Sequence, residues 1–281
     1  MKMPLPMNPA EISVPEGLRR LRVVTHRGGV ARAADDWVAE EVPVALVFNG
    51  ISHAVMMATP ADLEDFARGF CATEGLADAQ ELRSVEVLPG CDGIELHLEV
   101  SAACEWRLRE RRRTLAGRTG CGLCGTDSLG QVRQALPALA PRPFTPQALA
   151  RAQHELREAQ GLQRLAGATH AAAWCDADGH ARLVREDVGR HNALDKLVGA
   201  MQRAGLAAGE GFVAITSRAS FEMVQKTARL GAPALAAVSA PTAMAVELAQ
   251  SCGLLLAGFV RGEDLVAYTF PERLGLPPAE A

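Results

Sequence analysis

The chain has 281 residues, of which 48% are hydrophobic and 22% charged, and its formal net charge is −4 at pH 7. This length and hydrophobic content allow a substantial core in one large domain or two smaller ones. The small excess of acidic residues argues against a nucleic-acid polymer as the main partner, because such binding needs an excess of basic residues.

Residues 1–17 are rich in proline and polar residues without periodicity, which indicates a flexible tail. Prolines also occur where a signal peptide needs its apolar segment, and no apolar run in the chain is long enough to cross a bilayer. We therefore expect a cytoplasmic protein without a membrane segment.

Short, valine-rich apolar runs follow the tail and indicate strands. Between two of them lies Asn49-Gly50, a pair that tolerates positive φ and favours a hairpin. Apolar and polar residues alternate over residues 93–100, as in a strand with one solvated face. The strands are expected at residues 20–26, 40–50, 52–58 and 93–100.

A helix is indicated over residues 59–75, with Thr59 as its N-cap, Pro60 in its first turn and apolar residues along one face. Together with the strands, it predicts an N-terminal α+β domain over residues 18–117.

Arginines accumulate at the end of this domain. Either they form the solvated face of a helix or they bind an anion, because a guanidinium group can hold phosphate in a bidentate fork. They are Arg107, Arg109, Arg111, Arg112, Arg113 and Arg118.

Two of the seven cysteines, Cys121 and Cys124, lie three positions apart among four glycines in RTGCGLCGTD. A structural zinc site would need a second pair of ligands, which the sequence does not offer. His97-Leu98-Glu99 fits the H-x-E pattern of zinc deaminases but lies in a predicted strand. A thioredoxin-like pair would begin a helix. The glycines instead favour a mobile loop suited to delivery between partners, and most other cysteines are expected to be buried.

Residues 118–144 are predicted to form this Gly-rich loop and a Pro-rich linker, followed by a second domain over residues 145–281. Apolar strands alternate there with amphipathic helices, which predicts an α/β domain with a largely parallel sheet and helices on both faces. Strands are expected at residues 170–175, 181–187, 212–217, 234–239, 254–260 and 265–270, and helices at 145–161, 190–205, 220–231 and 241–253.

Polar residues follow several of these strands, and sites in such sheets collect at the carboxyl ends of strands. Ser217 and Arg218 could converge with backbone N–H groups on a phosphate, or Ser217 could cap the next helix. Asp187, Arg190 and His191 could bind a ligand, or they could belong, with Asp195 and Lys196, to a salt-bridged surface helix. The sequence contains neither a Walker A motif nor a dinucleotide fingerprint.

Several long motifs, in this order, resemble the formate dehydrogenase accessory sulfurtransferase family, FdhD. The resemblance extends from about Leu18 to Leu274. The motifs occupy residues 40–75, 110–125, 169–175, 185–200, 217–226 and 236–249.

The resemblance implies that Cys121 receives sulfur from a cysteine desulfurase as a persulfide. It also implies transfer of that sulfur to the molybdenum or tungsten cofactor, a bis-molybdopterin guanine dinucleotide, before the cofactor enters the formate dehydrogenase catalytic subunit. Cys124 is expected to assist, by passing the sulfur onward or by forming a transient disulfide. The family further implies a homodimer and a cytidine deaminase-like three-layer α/β/α C-terminal domain.

Cofactor binding in the family is assigned to a short segment that corresponds here to FVRGED. This segment departs from the usual pattern, which carries Cys after Phe and a Lys/Arg-Pro-Gly run. Arg261 and Gly262 can meet a phosphate, whereas Glu263 and Asp264 would repel one. The six residues are Phe259, Val260, Arg261, Gly262, Glu263 and Asp264.

Two other functions compete with the sulfurtransferase. One is a zinc-dependent hydrolase of the deaminase type, and the other is a non-catalytic chaperone that only carries the cofactor to its enzyme. We expect no tightly held metal, and a guanine nucleotide should act as a fragment of the bound cofactor.

Overall fold

The structure is a computed structural model that describes residues 16–115 and 136–278. Within these residues the strands form a two-stranded ribbon, a four-stranded sheet and a six-stranded sheet. No helix in this part of the chain has both the length and the apolar character needed to cross a membrane.

The ribbon consists of β1 (Leu18–Arg27) and β2 (Val30–Ala39), which pair antiparallel along their whole length. Gly28 and Gly29 form the turn, both with positive φ. The sequence analysis predicted β1 but missed β2, because β2 is rich in alanine and lies largely exposed, so it lacks the apolar alternation that marks a half-buried strand.

The four-stranded sheet has the order β4-β3-β6-β5. The expected hairpin at Asn49-Gly50 is confirmed, with φ of 44° and 81° at the two residues. Strand β5 was not predicted. The strands are β3 (Val42–Phe48), β4 (Ile51–Ala58), β5 (Leu82–Pro89) and β6 (Ile94–Val100).

Helix α1 (Leu63–Thr73) packs its apolar side, including the fully buried Phe66, against one face of this sheet. The helix begins at Leu63, so the prediction that Thr59 is its N-cap is wrong. Thr59 is held by distant residues instead: its N–H donates to Asp187 Oδ2 at 3.0 Å, and its Oγ1 accepts from the Val188 N–H at 3.1 Å. These tertiary bonds take the place of a local cap.

The six-stranded sheet has the order β12-β11-β10-β9-β7-β8. Its strands are β7 (His170–Asp176), β8 (Ala181–Asp187), β9 (Gly211–Ile215), β10 (Ala234–Ala237), β11 (Leu255–Arg261) and β12 (Asp264–Ala267). The remaining helices are α2 (Ala102–Leu115), α3 (Pro146–Ala159), α4 (Gly161–Ala166), α5 (Arg190–Ala204), α6 (Phe221–Leu230) and α7 (Ala243–Cys252), with 3-10 helices at Ala208–Glu210 and Pro271–Leu274.

Helices cover both faces of this sheet, as expected for a three-layer α/β/α arrangement. Residues of α5, α6 and α7 share one core with the sheet, and residues of α3 share another core on the opposite face. At the end of the predicted linker, Phe144 is buried and its ring meets that of Phe212 edge-on at 5.1 Å. The division into two domains stays a prediction.

The expectation of a largely parallel sheet is wrong, because only two of its five neighbouring strand pairs, β9–β10 and β10–β11, are parallel. Strand β7 is antiparallel to both β8 and β9, and β12 is antiparallel to β11. Residues 177–180 join β7 to β8, and residues 262–263 join β11 to β12. Such short connections cannot make the crossover that parallel neighbours require, so they form hairpins.

Helix α1 crosses α5 at close range and joins the four-stranded sheet to the six-stranded one. Glycines lie at the crossing on both helices: a Cβ on Gly69 would overlap the Asp195 carbonyl, and one on Gly199 would overlap the Asp65 carbonyl. Direct backbone contact fixes the six-stranded sheet against α1. It also brings Thr59, which precedes α1, to the end of β8.

Candidate functional site

One edge of the six-stranded sheet collects most of the predicted site residues. Strands β8, β9, β10 and β11 all end at this edge, because β7 runs opposite to its two neighbours β8 and β9. Asp187–His191 begins with the last residue of β8, Ser217–Arg218 follows β9, and Phe259–Asp264 includes the last three residues of β11. The structure thus confirms that the sequence places these residues at carboxyl ends of strands, where α/β sheets bind ligands.

Asp187 holds the first of these segments, Asp187–His191, in place. It is fully buried and lies 2.6 Å from Lys196 Nζ, which is also fully buried. Its Oδ2 accepts the Thr59 N–H, and its Oδ1 accepts the Gly189 N–H at 2.8 Å and the Asn192 amide at 3.0 Å. With both carboxylate oxygens occupied, Asp187 holds the segment that carries Arg190 and His191.

The alternative that α5 is a salt-bridged surface helix is therefore wrong. Asp195 and Lys196 are buried, and each is paired with a residue outside α5. Lys226 reaches both oxygens of Asp195, at 2.8 and 3.0 Å, and Glu74 at 2.7 Å. Burial acts against the charge of this ammonium group, but the two carboxylates outweigh that effect and raise the pKa of Lys226.

Arg190 and His191 open helix α5 at the sheet edge. The His191 Nε2 lies 2.8 Å from Oε2 of Glu222 in the first turn of α6. The Arg190 Nε atom is buried and has no hydrogen-bond partner among the described residues. Burying a hydrogen-bond donor without a partner costs free energy. This guanidinium group is therefore suited to bind an anion at the sheet edge.

His170 lies beside this pair, although the sequence analysis did not select it. It opens β7 and stands opposite Asp187 in the strand register. Burial lowers the pKa of His170, the Arg190 guanidinium lowers it further, and so does His191 when it carries a charge, against a smaller opposite effect of Asp187. The imidazole therefore favours its neutral form beside Arg190.

Glu222 is the second residue that the sequence analysis missed. The hydrogen bond from His191 lowers the pKa of Glu222, with burial opposing this and Arg190 and Lys226 adding to it. Its only sequence signal was its place in the first turn of a helix that follows Ser217 and Arg218. That signal could not identify its partner, which is 31 positions away.

Ser217 does not cap a helix, contrary to one of the two interpretations of this residue. It is buried, and its Oγ donates to the Arg218 carbonyl at 3.0 Å. Ser220 occupies the N-cap position of α6, but its buried Oγ bonds to no other described residue. The exposed side chain of Arg218 extends from the same loop. This loop therefore presents a guanidinium group and a hydroxyl with unused bonding capacity.

The segment Phe259–Asp264 lies at the other end of the edge. Phe259 adopts a left-handed backbone with φ of 52°, and its side chain is 41% exposed. Val260 is fully buried. Arg261 is exposed and supplies the positive charge of the segment. The Arg261 Nε donates to the Val238 carbonyl at 3.2 Å, and the carboxylates of Glu263 and Asp264 are exposed nearby in sequence.

The loop after β10 lies between the Ser217–Arg218 loop and the Phe259–Asp264 segment and bonds to residues next to or within both. The Ala219 N–H donates to the Ala240 carbonyl at 3.2 Å, and the Phe259 N–H donates to the Ser239 carbonyl at 3.3 Å. Adjacent strands lie about 4.8 Å apart, so the four spacings from β8 to β11 separate the ends of the edge by roughly 19 Å. The predicted residues thus lie in three segments along one edge, at the ends of β8, β9 and β11, and not in a single cluster.

Cys121 and Cys124 lie outside the described residues, as do Arg118 and the side chains of Arg111–Arg113. In the described part of the arginine run, Arg107 pairs with Glu81 at 2.6 Å and Arg109 pairs with Glu105 at 2.5 Å. Cys91 is exposed, and the four other described cysteines are buried, as expected for most of them.

The zinc pattern at His97 gains no support from its surroundings. His97 lies within β6, as expected, and its Nε2 is 2.7 Å from Glu95 Oε2 on the same strand. The described ranges contain no group of three or more His, Cys, Asp or Glu residues placed to hold a metal ion.

Comparison with known proteins gives consistent results. The family model described as "FdhD/NarQ family" matches residues 39–275. "Sulfur carrier protein FdhD" from Variovorax paradoxus is 56% identical over 99% of this chain and 98% of its own length. The protein of that name from Bordetella petrii is 53% identical over 91% and 94%. A crystal structure described as that of a candidate formate dehydrogenase accessory protein from Desulfotalea psychrophila superimposes with a TM-score of 0.72, at 25% identity, over 92% of this chain and 99% of that one.

Proposed function

The chain belongs to the FdhD/NarQ family, and from this premise we propose that it is a sulfur carrier that serves the maturation of a formate dehydrogenase. The observation that carries the proposal is near-complete coverage of relatives named sulfur carrier proteins, at 53 to 56% identity. The sequence supplies the group that such a carrier needs, a cysteine in a Gly-rich segment.

Cys121 is the proposed carrier. Its thiolate attacks the terminal sulfur of a persulfide on a cysteine desulfurase; a new S–S bond forms on Cys121, the donor's S–S bond breaks, and the donor cysteine leaves as a thiolate. Arg118, three positions earlier, favours the thiolate form of Cys121 electrostatically.

Cys124 is proposed to release the sulfur. Its thiolate attacks the inner sulfur on Cys121, so that hydrosulfide leaves and a Cys121–Cys124 disulfide forms. The two electrons that convert the persulfide sulfur to sulfide come from the dithiol, and an external thiol reductant then restores the pair.

The proposed acceptor is a molybdenum or tungsten cofactor with two guanine nucleotides, and the sheet edge is its proposed binding surface. The Arg190 Nε and Ser220 Oγ, which have no hydrogen-bond partner in the described part of the chain, offer donors to phosphate oxygens together with Arg218 and Arg261. The roughly 19 Å between the ends of the edge suits a ligand with several phosphates. Glu263 and Asp264 oppose a phosphate next to them, so the Arg190 end is the stronger candidate.

The test of the function is sulfur loading. We expect that incubation with a cysteine desulfurase and cysteine adds one sulfur atom to the protein, seen by mass spectrometry of the intact chain, and that fragmentation locates it on Cys121. Iodoacetamide-blocked protein is the control. A persulfide on Cys91, or on none of the cysteines, contradicts the assignment.

We expect Arg190→Met to weaken binding of GDP, used as a fragment of the cofactor, by about tenfold or more. The reason is that a hydrogen bond to a charged group contributes about 1.5–3 kcal/mol. Isothermal titration calorimetry measures this affinity, and Arg218→Ala should weaken it as well. Arg182→Met, near the start of β8 and so at the opposite end of the sheet, is the matched control. Equal affinities for all four proteins would show that the nucleotide does not bind at this surface.

A further inference from the structure

His170, Arg190, His191 and Glu222 form a cluster that comes from three elements of the fold, and it is called the edge cluster below. His170 opens β7, Arg190 and His191 open α5, and Glu222 lies in the first turn of α6. Neither His170 nor Glu222 was selected from the sequence. They add a titratable imidazole and a carboxylate to the site, which an arginine alone does not provide.

We propose that the edge cluster binds phosphate together with a proton: His170 is neutral in the free protein and becomes protonated when the phosphate binds, while Glu222 acts as a positioning residue for His191. This inference rests on the proposed function, because the phosphate is taken to belong to the guanine nucleotide of the acceptor.

The charges around His170 support proton uptake. The Arg190 guanidinium acts on it as a permanent cation, and the carboxylate of Asp187, which stands opposite His170 in the strand register, is already paired with Lys196 at 2.6 Å. Glu222 accepts from His191 at 2.8 Å, and the positive charge of Lys226 on the same helix also acts on Glu222. The cluster therefore holds little negative charge to stabilise a protonated His170, consistent with its lowered pKa.

A phosphate dianion reverses this balance. Placed against the Arg190 Nε, it brings two negative charges next to His170 and favours the imidazolium form. The pKa of His170 then rises from below its ordinary value to above it. Between those two values, binding takes up a proton, so by linkage the affinity falls as pH rises.

The role of Glu222 follows from hydrogen bonding. Its carboxylate accepts at 2.8 Å from His191 Nε2, which requires a hydrogen on that nitrogen and leaves Nδ1 for another contact. Glu222 comes from a different helix, so it also fixes the ring of His191 in place. Without the carboxylate, the Nε2–H tautomer of a neutral His191 ring loses the hydrogen bond that favours it.

Proton uptake is measured by titrating GDP into the full chain in two buffers of different ionisation enthalpy, at pH 6.0, 6.8 and 8.0. GDP itself ionises near pH 6, so the informative quantity is the difference between wild type and His170→Gln. We expect wild type to take up more protons than the variant at pH 6.0 and 6.8, by at most about one, and the difference to shrink at pH 8.0. Their affinities should be similar at pH 8.0.

Glu222 is tested by the ring signals of His191 in nitrogen-15 NMR spectra. We expect the Nε2–H tautomer in wild type and in Glu222→Gln, whose side-chain carbonyl can still accept, and mixed tautomers with about tenfold weaker GDP binding in Glu222→Leu. Glu247→Gln on the exposed face of α7 is the control. A change in affinity without a change of tautomer contradicts the positioning role.

The outcomes separate this inference from the proposed function. Equal proton uptake by wild type and His170→Gln, with GDP bound by both, overturns the inference and leaves the nucleotide site intact. Absence of GDP binding by wild type at every pH overturns both. Sulfur loading of Cys121 does not depend on either result.

Discussion

Replacement of Lys196 by methionine is expected to lower the free energy of unfolding by about 3–5 kcal/mol, because it leaves a buried carboxylate without its counter-ion. Lys196 and Asp187 are both fully buried and lie 2.6 Å apart, and the Lys196 Nζ also donates to the Thr59 carbonyl at 2.9 Å. Denaturant unfolding followed by circular dichroism measures the loss.

Two further variants separate this effect from a general weakening of α5. Adding Asp187→Asn to Lys196→Met should recover part of the loss, since the unpaired charge is then gone and the amide oxygen can still accept from a neighbouring N–H group. Arg182→Met breaks a surface pair with Asp176 and should cost less than about 1 kcal/mol. A Lys196→Met protein as stable as wild type would contradict a buried ion pair at this position.

Replacement of Cys121 by serine is expected to abolish sulfur loading and to reduce activation of formate dehydrogenase to the level without the carrier. A serine hydroxyl does not form a persulfide, so no sulfur can be held. The measurement is formate oxidation by a dehydrogenase matured in cells that carry each variant in place of wild type. Cys121→Ser should unfold at the same denaturant concentration as wild type.

The other cysteines give graded controls. Cys91→Ser removes an exposed thiol and should leave activation unchanged. Cys124→Ser should still load sulfur on Cys121 but release it slowly, so that the persulfide accumulates. Full activation by Cys121→Ser would favour the chaperone alternative, and one tightly held zinc ion per chain in a metal assay would favour the hydrolase.

Local sequence patterns predicted the elements that depend on local chemistry. Asn49-Gly50 formed its hairpin because both residues tolerate positive φ, and the amphipathic helices of the second half lie close to their expected positions. The start of α1 was misplaced. Threonine commonly caps helices, but the Thr59 backbone N–H donates to Asp187, 128 positions away.

The candidate site was predictable only in part, for the same reason. Residues that follow a strand, such as Arg190 and Arg218, were found because the ends of strands can be recognised from sequence. His170 begins a strand, and Glu222 lies inside a helix. His170 joins the site because β7 runs antiparallel to its neighbours and brings its first residue to the edge where they end. Glu222 joins it because α6 begins at the same edge, after β9, and there meets His191.

The sequence by itself determined the family, the α/β class and the pair of cysteines, because motifs and apolar periodicity are written in consecutive residues. The tertiary structure alone decided the sheet directions, the burial of Asp187 with Lys196 and the meeting of His191 with Glu222. These depend on side chains that are distant in sequence and come together only when the glycine crossing of α1 and α5 and the order of the strands bring them within reach.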